Sequence, residues 1–221
     1  MSKLIVIDGL DGSGKTTQSQ LLFSYMEQHS PNGAKLISFP DYENPSSQLV
    51  KMYLAGDFGK DAQQVSAYAA SSFYAVDRYA SYRLYWESAY CSGKNILATR
   101  YATSNMIHQM GKLPREEWDA FLDWVKDYEY KKLGLPAPDQ VVFLDMDLEI
   151  SAKLLTGRYH GDESKKDIHE ANRQYLMNCR ESALYAAQRE GWTVIRCDDG
   201  EKVLPLEVIA RKITESLISL E

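Results

Sequence analysis

Four short apolar runs punctuate the chain, Leu4–Ile7, Ala34–Phe39, Asn95–Ala98 and Val141–Leu144, and a fifth, Thr193–Arg196, lies near its end. Each is too short for a helix and rich in β-branched or large aliphatic residues, so each reads as a strand, Val141–Leu144 as a cleanly buried one. Between them the apolar positions recur at helical spacing. The segment from Lys15 through Met26 places Leu21, Leu22 and Tyr25 on one face, and a turn-rich stretch after Pro40 opens a helix from Gln48 to Leu54. Asp61 to Tyr90 predicts one long helix or two abutting ones. Further helices are expected near Thr103–Met110, over Glu116–Lys132 with Trp118, Phe121, Leu122 and Val125 inward, around Glu149–Leu155, up to Glu190, and from Leu206 to Leu220. Strands alternating with helices predict a parallel, doubly wound α/β sheet flanked by helices.

Composition narrows this picture only slightly. The 221 residues are 44% hydrophobic and 25% charged, which suits one compact domain, and no repeat, linker or low-complexity segment interrupts it. A net charge of −6 argues against a nucleic-acid polymer as partner, so a phosphate site has to be built locally from a few cations and backbone amides. Cys91, Cys179 and Cys197 are scattered and lack metal-site spacing, which predicts free thiols in a reducing compartment. No signal segment or membrane span is evident, so a cytoplasmic protein is expected.

The chemistry enters at Gly9-Leu10-Asp11-Gly12-Ser13-Gly14-Lys15-Thr16, which satisfies G-x-x-x-x-G-K-[ST] between a predicted strand and a predicted helix. Gly9, Gly12, Ser13, Gly14 and Thr17 contribute backbone to a phosphate cradle, Lys15 reaches the β- and γ-phosphates of ATP, and the Thr16 hydroxyl is placed for Mg²⁺. A glycine-rich turn with a chance lysine does not account for that context. Because ATPases, GTPases and small-molecule kinases share the loop, it leaves the reaction open. The Asn/Thr-Lys-x-Asp motif of GTPases is absent. A monophosphate kinase needs in addition a second anion pocket and a basic lid that excludes water.

Here the chain resembles the thymidylate kinases. The resemblance rests on Gly9–Thr17, on Phe39-Pro40-Asp41-Tyr42, on Phe73-Tyr74-Ala75-Val76-Asp77-Arg78, on Thr99-Arg100-Tyr101-Ala102-Thr103-Ser104-Asn105, and on the segment around Arg158. It implies transfer of the γ-phosphoryl group of ATP to thymidine monophosphate (dTMP). It implies further that Arg100 holds the acceptor phosphate, Arg78 reaches that phosphate or the base, and Tyr74 stacks on the thymine. Asn105 then reads the N3 and O4 edge, and His108 lines the sugar, with Pro40 and Tyr42 nearby. Asp11 resembles an acid placed near the sugar hydroxyl and the metal's waters; as a helix-capping carboxylate alone it contributes only about 0.3–1 kcal/mol. Phe73 is expected in the core. Arg158, bracketed by Gly157 and Gly161, is the lid cation over about 156–170, with Lys165, Lys166 and Arg173 as alternates. A homodimer through the long helix also follows from the resemblance.

The chain departs from the family at three places. Gly12 stands where some members carry a basic residue, Thr99 where an aspartate is usual, and Tyr42 where many carry an arginine. These losses keep open another P-loop nucleoside or nucleotide kinase, or a weakly active nucleotide-binding protein. The carboxylate missing at Thr99 leaves Thr16 to bind the metal and Asp11 to order its waters.

Overall fold

The computed structural model describes residues 2–158 and 173–220. Five parallel strands, β1 (Leu4–Gly9), β2 (Ala34–Ser38), β3 (Asn95–Thr99), β4 (Gln140–Asp145) and β5 (Thr193–Arg196), form one sheet in the order β2-β3-β1-β4-β5. The central β1 is buried along its whole length. Its side chains alternate between two cores. Leu4 and Val6 join Trp86, Tyr101, Met106 and Phe121 on one face, while Ile5 and Ile7 join Leu22, Met26, Ile209 and Ile213 on the other.

The first turn back from the sheet is α1 (Lys15–His29). Its buried stripe runs Gln18, Leu22, Met26, with Ser19 beside it, and Tyr25 packs partly against the core. Leu21 is 40% exposed, so the apolar face expected of it is displaced by one residue. The buried stripe begins on a glutamine because the N-terminal turn of the helix faces the site, and Gln18 donates to the Leu206 carbonyl.

The long helical segment is realised as α3 (Ala67–Ser81), a π-helical turn at Tyr82–Trp86, and α4 (Glu87–Cys91). Ser66 caps α3 by accepting from the Ala69 amide. The α2 helix (Gln48–Leu54) follows a short 3₁₀ turn. The segment after β3 is wound as a π-helix at Asn105–Gln109, and α5 (Trp118–Val125) likewise runs into π-helical Lys126–Lys132. Trp118, Phe121, Leu122 and Val125 are buried, as their spacing predicts.

The remaining helices are α6 (Leu148–Arg158), α7 (Arg173–Glu190) and α8 (Leu206–Glu215). The last stops short of the Leu220 expected from the sequence. Its tail docks by backbone instead: the Ile218 amide donates to Gln140, and Asn95 donates to the Leu220 carbonyl. Cys179 and Cys197 are buried and Cys91 is exposed, all as free thiols; burial pushes the first two up to about 12.

Candidate active site

The glycine loop joins β1 to α1. Gly14, in the left-handed region at φ 85°, precedes the helix with no capping side chain, so the first-turn N–H groups of α1 keep their donors for a ligand. Gly12 has φ 80°, and a Cβ there would stand 2.8 Å from the Ser151 carbonyl. No basic residue fits that position, which explains the first departure from the family pattern.

Two cavities flank the loop. One, of about 140 Å³, is lined by Asp11, Lys15, Thr16, Ser38, Thr99 and Arg100 among others. The second, of about 540 Å³, lies between Gly12–Gly14, Gln18 and Leu154 on one side and Lys202–Leu206 on the other. It is mainly apolar, and the sequence reading missed its 202–206 wall. The signal was Leu204-Pro205-Leu206, an apolar run shortly after an Asp-Asp-Gly turn.

The smaller cavity concentrates charge. Lys15 Nζ donates to the Leu10 carbonyl at 2.7 Å and lies 3.5 Å from Asp11 Oδ1. Arg100 Nη2 donates to the same Asp11 oxygen, and its Nη1 donates to His108 Nε2 at 2.8 Å. That bond makes Nε2 an acceptor and leaves the proton of a neutral His108 on Nδ1. Burial pushes the Lys15 ammonium down to about 8, helped by Arg100 and opposed by Asp11 and Asp8. Burial raises Asp11, but Arg100, Lys15 and His108 together overcome it and hold the carboxyl far below its usual range. The guanidinium of Arg100 is correspondingly held charged against its burial. Two cations therefore converge on Asp11, with the buried Asp8 carboxylate 3.9 Å from Arg100 behind them, a concentration of perturbed charged groups of the kind that marks functional sites. Arg100 is moreover the one non-glycine residue with positive φ, 63°, among the described residues. Such strain persists only where the surroundings over-determine it.

Three acids missed in the sequence organise this centre. Asp8, fully buried at the end of β1, accepts from the hydroxyls of Thr103 and Ser104, both at 2.7 Å, and from the Gly9 amide. It fixes the start of the loop against the segment that follows β3. Asp77 is buried and accepts from the Asp41 amide and the Ser46 hydroxyl. It hooks the loop carrying Pro40 and Tyr42 onto α3 and forms no ion pair with the neighbouring Arg78 among the described residues. Pro40 follows a cis Phe39–Pro40 bond, and Tyr42 is 49% exposed.

The third acid is Glu129. Its carboxylate takes Arg78 Nε at 2.6 Å and Nη2 at 2.7 Å, and Asn105 Nδ2 at 2.9 Å. Arg78 is absent from the wall of the smaller cavity, which Arg100 lines. Burial opposes the Arg78 charge, and Glu129 more than restores it. The sequence signal was present: Phe121, Val125 and Glu129 are spaced by four, so a carboxylate sits on the apolar stripe and requires a buried partner.

Tyr74 packs edge-on against Tyr53 at 6.2 Å and is among the groups that favour the Arg100 charge, after Asp11 and Asp8. Phe73 packs with Tyr53 and Phe58, as expected of a core ring. Behind them Lys112 donates to the Tyr53 hydroxyl at 2.8 Å and to the Val65 carbonyl, and burial pushes its ammonium down to about 8. Below pH 8 the charge is carried in folded and unfolded chains alike and its burial is a constant cost. Between pH 8 and about 10.5 the folded protein sheds the proton first, so stability rises with pH by roughly 1–3 kcal/mol. Lys112→Met is expected to lose this slope, which urea unfolding of both proteins at pH 7, 8.5 and 10 measures.

Arg158 ends α6, but its side chain and 159–172, with Lys165 and Lys166, lie outside the described residues. Arg173 pairs with Glu149 at the surface. Thr16 is exposed, and its hydroxyl makes no hydrogen bond among the described residues. No helix among them is long and apolar enough to cross a membrane, and no cluster of three His, Cys, Asp or Glu side chains forms a self-sufficient metal site.

The chain is 28% identical to thymidylate kinase from Mycobacterium tuberculosis over 86% of this chain and 87% of that one. It is 31% identical to thymidylate kinase from Schizosaccharomyces pombe, over 80% and 74%. The fold matches the solved thymidylate kinase of Candida albicans with a TM-score of 0.70 at 21% identity, covering 97% of this chain and 90% of that one. The family model described as "Thymidylate kinase" matches residues 7–204, from the middle of β1 to the far wall of the larger cavity, and the chain belongs to that family.

Proposed function

We propose that the protein transfers the γ-phosphoryl group of ATP to dTMP, giving ADP and dTDP. The observation that carries this reading is the meeting of Lys15 and Arg100 over Asp11, one cation on the glycine loop and the other on the segment after β3. Phosphates of ATP replace the Leu10 carbonyl and Asp11 as partners of Lys15, and the first-turn amides of α1 take the remaining oxygens. The larger cavity receives the adenine. Arg100 grips the acceptor phosphate with its planar fork and, through His108 and Asp11, is held in line with the donor. The dTMP base lies toward Tyr74, Asn105 and Arg78, with His108 along the sugar. Catalysis is then positioning and charge stabilisation, with no covalent intermediate.

The Thr16 hydroxyl and Asp11 carboxylate are hard oxygen donors, a set that fits Mg²⁺ completed by nucleotide phosphates. Bound there, the ion neutralises charge on the phosphate oxygens. Thr99 lines the same cavity, so Thr99→Asp is expected to lower the half-saturating Mg²⁺ concentration and raise turnover, by up to about tenfold. An unchanged or lower rate across a Mg²⁺ titration counts against that account.

The chain is proposed to act as one kinase domain in the cytoplasm, with a lid over about 156–170 whose cation is Arg158. Val76 and Tyr79, both exposed one turn apart on α3, support a homodimer through that helix. ADP release measured with dTMP, dUMP, dCMP, UMP and AMP tests the assignment: dTMP gives the highest kcat/KM, and ADP release independent of every acceptor overturns it.

A further inference from the structure

We infer that Glu129 is a specificity-positioning residue: it fixes the Asn105 amide so that only its carbonyl oxygen faces the base. The inference rests on the proposal that the acceptor's base lies at Asn105 and Arg78. Asn105 Nδ2 donates to Glu129 Oε1 at 2.9 Å and to the Ser71 carbonyl at 3.3 Å. Both partners are acceptors, so the amide cannot turn over without setting oxygen against oxygen. Both of its N–H donors are thereby consumed inside the protein. Oδ1 makes no hydrogen bond among the described residues and is left as an acceptor. Arg78 is arranged in the same sense. Its Nε–H and one Nη2–H are spent on Glu129, and the N–H groups that remain, on Nη1 and the second of Nη2, can only donate.

The pair therefore offers one acceptor and one donor side by side. Thymine and uracil present N3–H, a donor, beside O4, an acceptor, and match both. Cytosine presents N3 as an acceptor beside an N4 amino donor, and clashes with both. Glu129 touches neither base atom. Being 1% exposed, it acts wholly through the two side chains it holds. A glutamate at this position also sets the sign of the rule: a carboxylate has only acceptors to offer, whereas a carboxamide can present either end.

Glu129→Gln tests this. The substituted carboxamide can set its amino group against Asn105, which withdraws the shorter of the two acceptors that fix the Asn105 amide and leaves only the Ser71 carbonyl at 3.3 Å, so the amide turns its N–H toward the base in part of the molecules and donates to cytosine N3. The ratio of kcat/KM for dTMP over dCMP is expected to fall at least about tenfold, with the dCMP value itself unchanged or raised, while ATP affinity stays as in the wild type. A structural lesion lowers both substrates together. If both fall in parallel and the ratio is kept, the inference is overturned. Where Glu129→Gln fails to bind ATP, Glu129→Asp, which keeps the charge for Arg78 but withdraws it by one methylene, is read in its place; a ratio equal to that of the wild type overturns the inference. A wild-type enzyme that phosphorylates dCMP as well as dTMP fails the underlying base-site reading, and the inference with it.

Discussion

Lys15→Met loses about 10³-fold in kcat for dTMP phosphorylation, roughly 4 kcal/mol of transition-state stabilisation, yet melts at the same temperature as the wild type or higher. The two halves of this result have one cause. The Lys15 ammonium is 8% exposed and its proton affinity is depressed by burial and by Arg100, so the free protein carries that charge at a cost. Methionine keeps the aliphatic stem and removes the cost, together with the donor that γ-phosphate charge needs during transfer. Kinetics and thermal melts on the same sample decide it. A Tm lowered by several degrees would make Lys15 a structural cation, and retained turnover would place phosphate binding elsewhere.

Arg100→Ala lowers kcat/KM for dTMP by roughly 10²–10³-fold while ATP affinity changes little. Arg100 contributes unfavourably to the Lys15 charge, so its removal leaves the lysine more firmly protonated for the donor nucleotide. The loss should fall on the acceptor. Arg100→Lys recovers part of it, because a point charge remains but the fork that spans Asp11 and His108 does not. Acceptor titrations at saturating ATP, with ATP binding measured separately, read the split. An unchanged dTMP kcat/KM removes Arg100 from the acceptor site; a loss confined to ATP affinity assigns it to the donor.

What was legible in the sequence follows from how far apart the cooperating residues stand. The strands were readable because each is a short run rich in β-branched or aliphatic residues; β1, β3 and β4 are buried nearly throughout and the edge strands β2 and β5 only in part, yet Thr193–Arg196 was placed to the residue. The glycine loop was readable because all its parts are contiguous. Boundaries failed where long-range contacts decide them. The end of α8 at Glu215 reflects tail bonds to Gln140 and Asn95, and the exposure of Leu21 reflects which face of α1 the sheet claims. The same holds in the site. Glu129 stands 51 residues from Arg78, and Asp77 stands 36 from Asp41, so neither partnership leaves a local pattern. Glu129 was nonetheless detectable as a charge on an apolar stripe, and Asp8 as an acid closing a strand.

The π-helical turns carry a lesson about length. Asn105 and Glu129 both sit in such turns, and a third follows Arg78 within the long helix. Each widening holds an extra residue relative to α-helical winding, and deleting one residue restores the tighter pitch while rotating everything beyond it by about 100°. A deletion of that kind swings a carboxylate or an amide out of the base-end network with its composition intact. Among descendants of this chain, gaps in those three stretches should be rarer than substitutions.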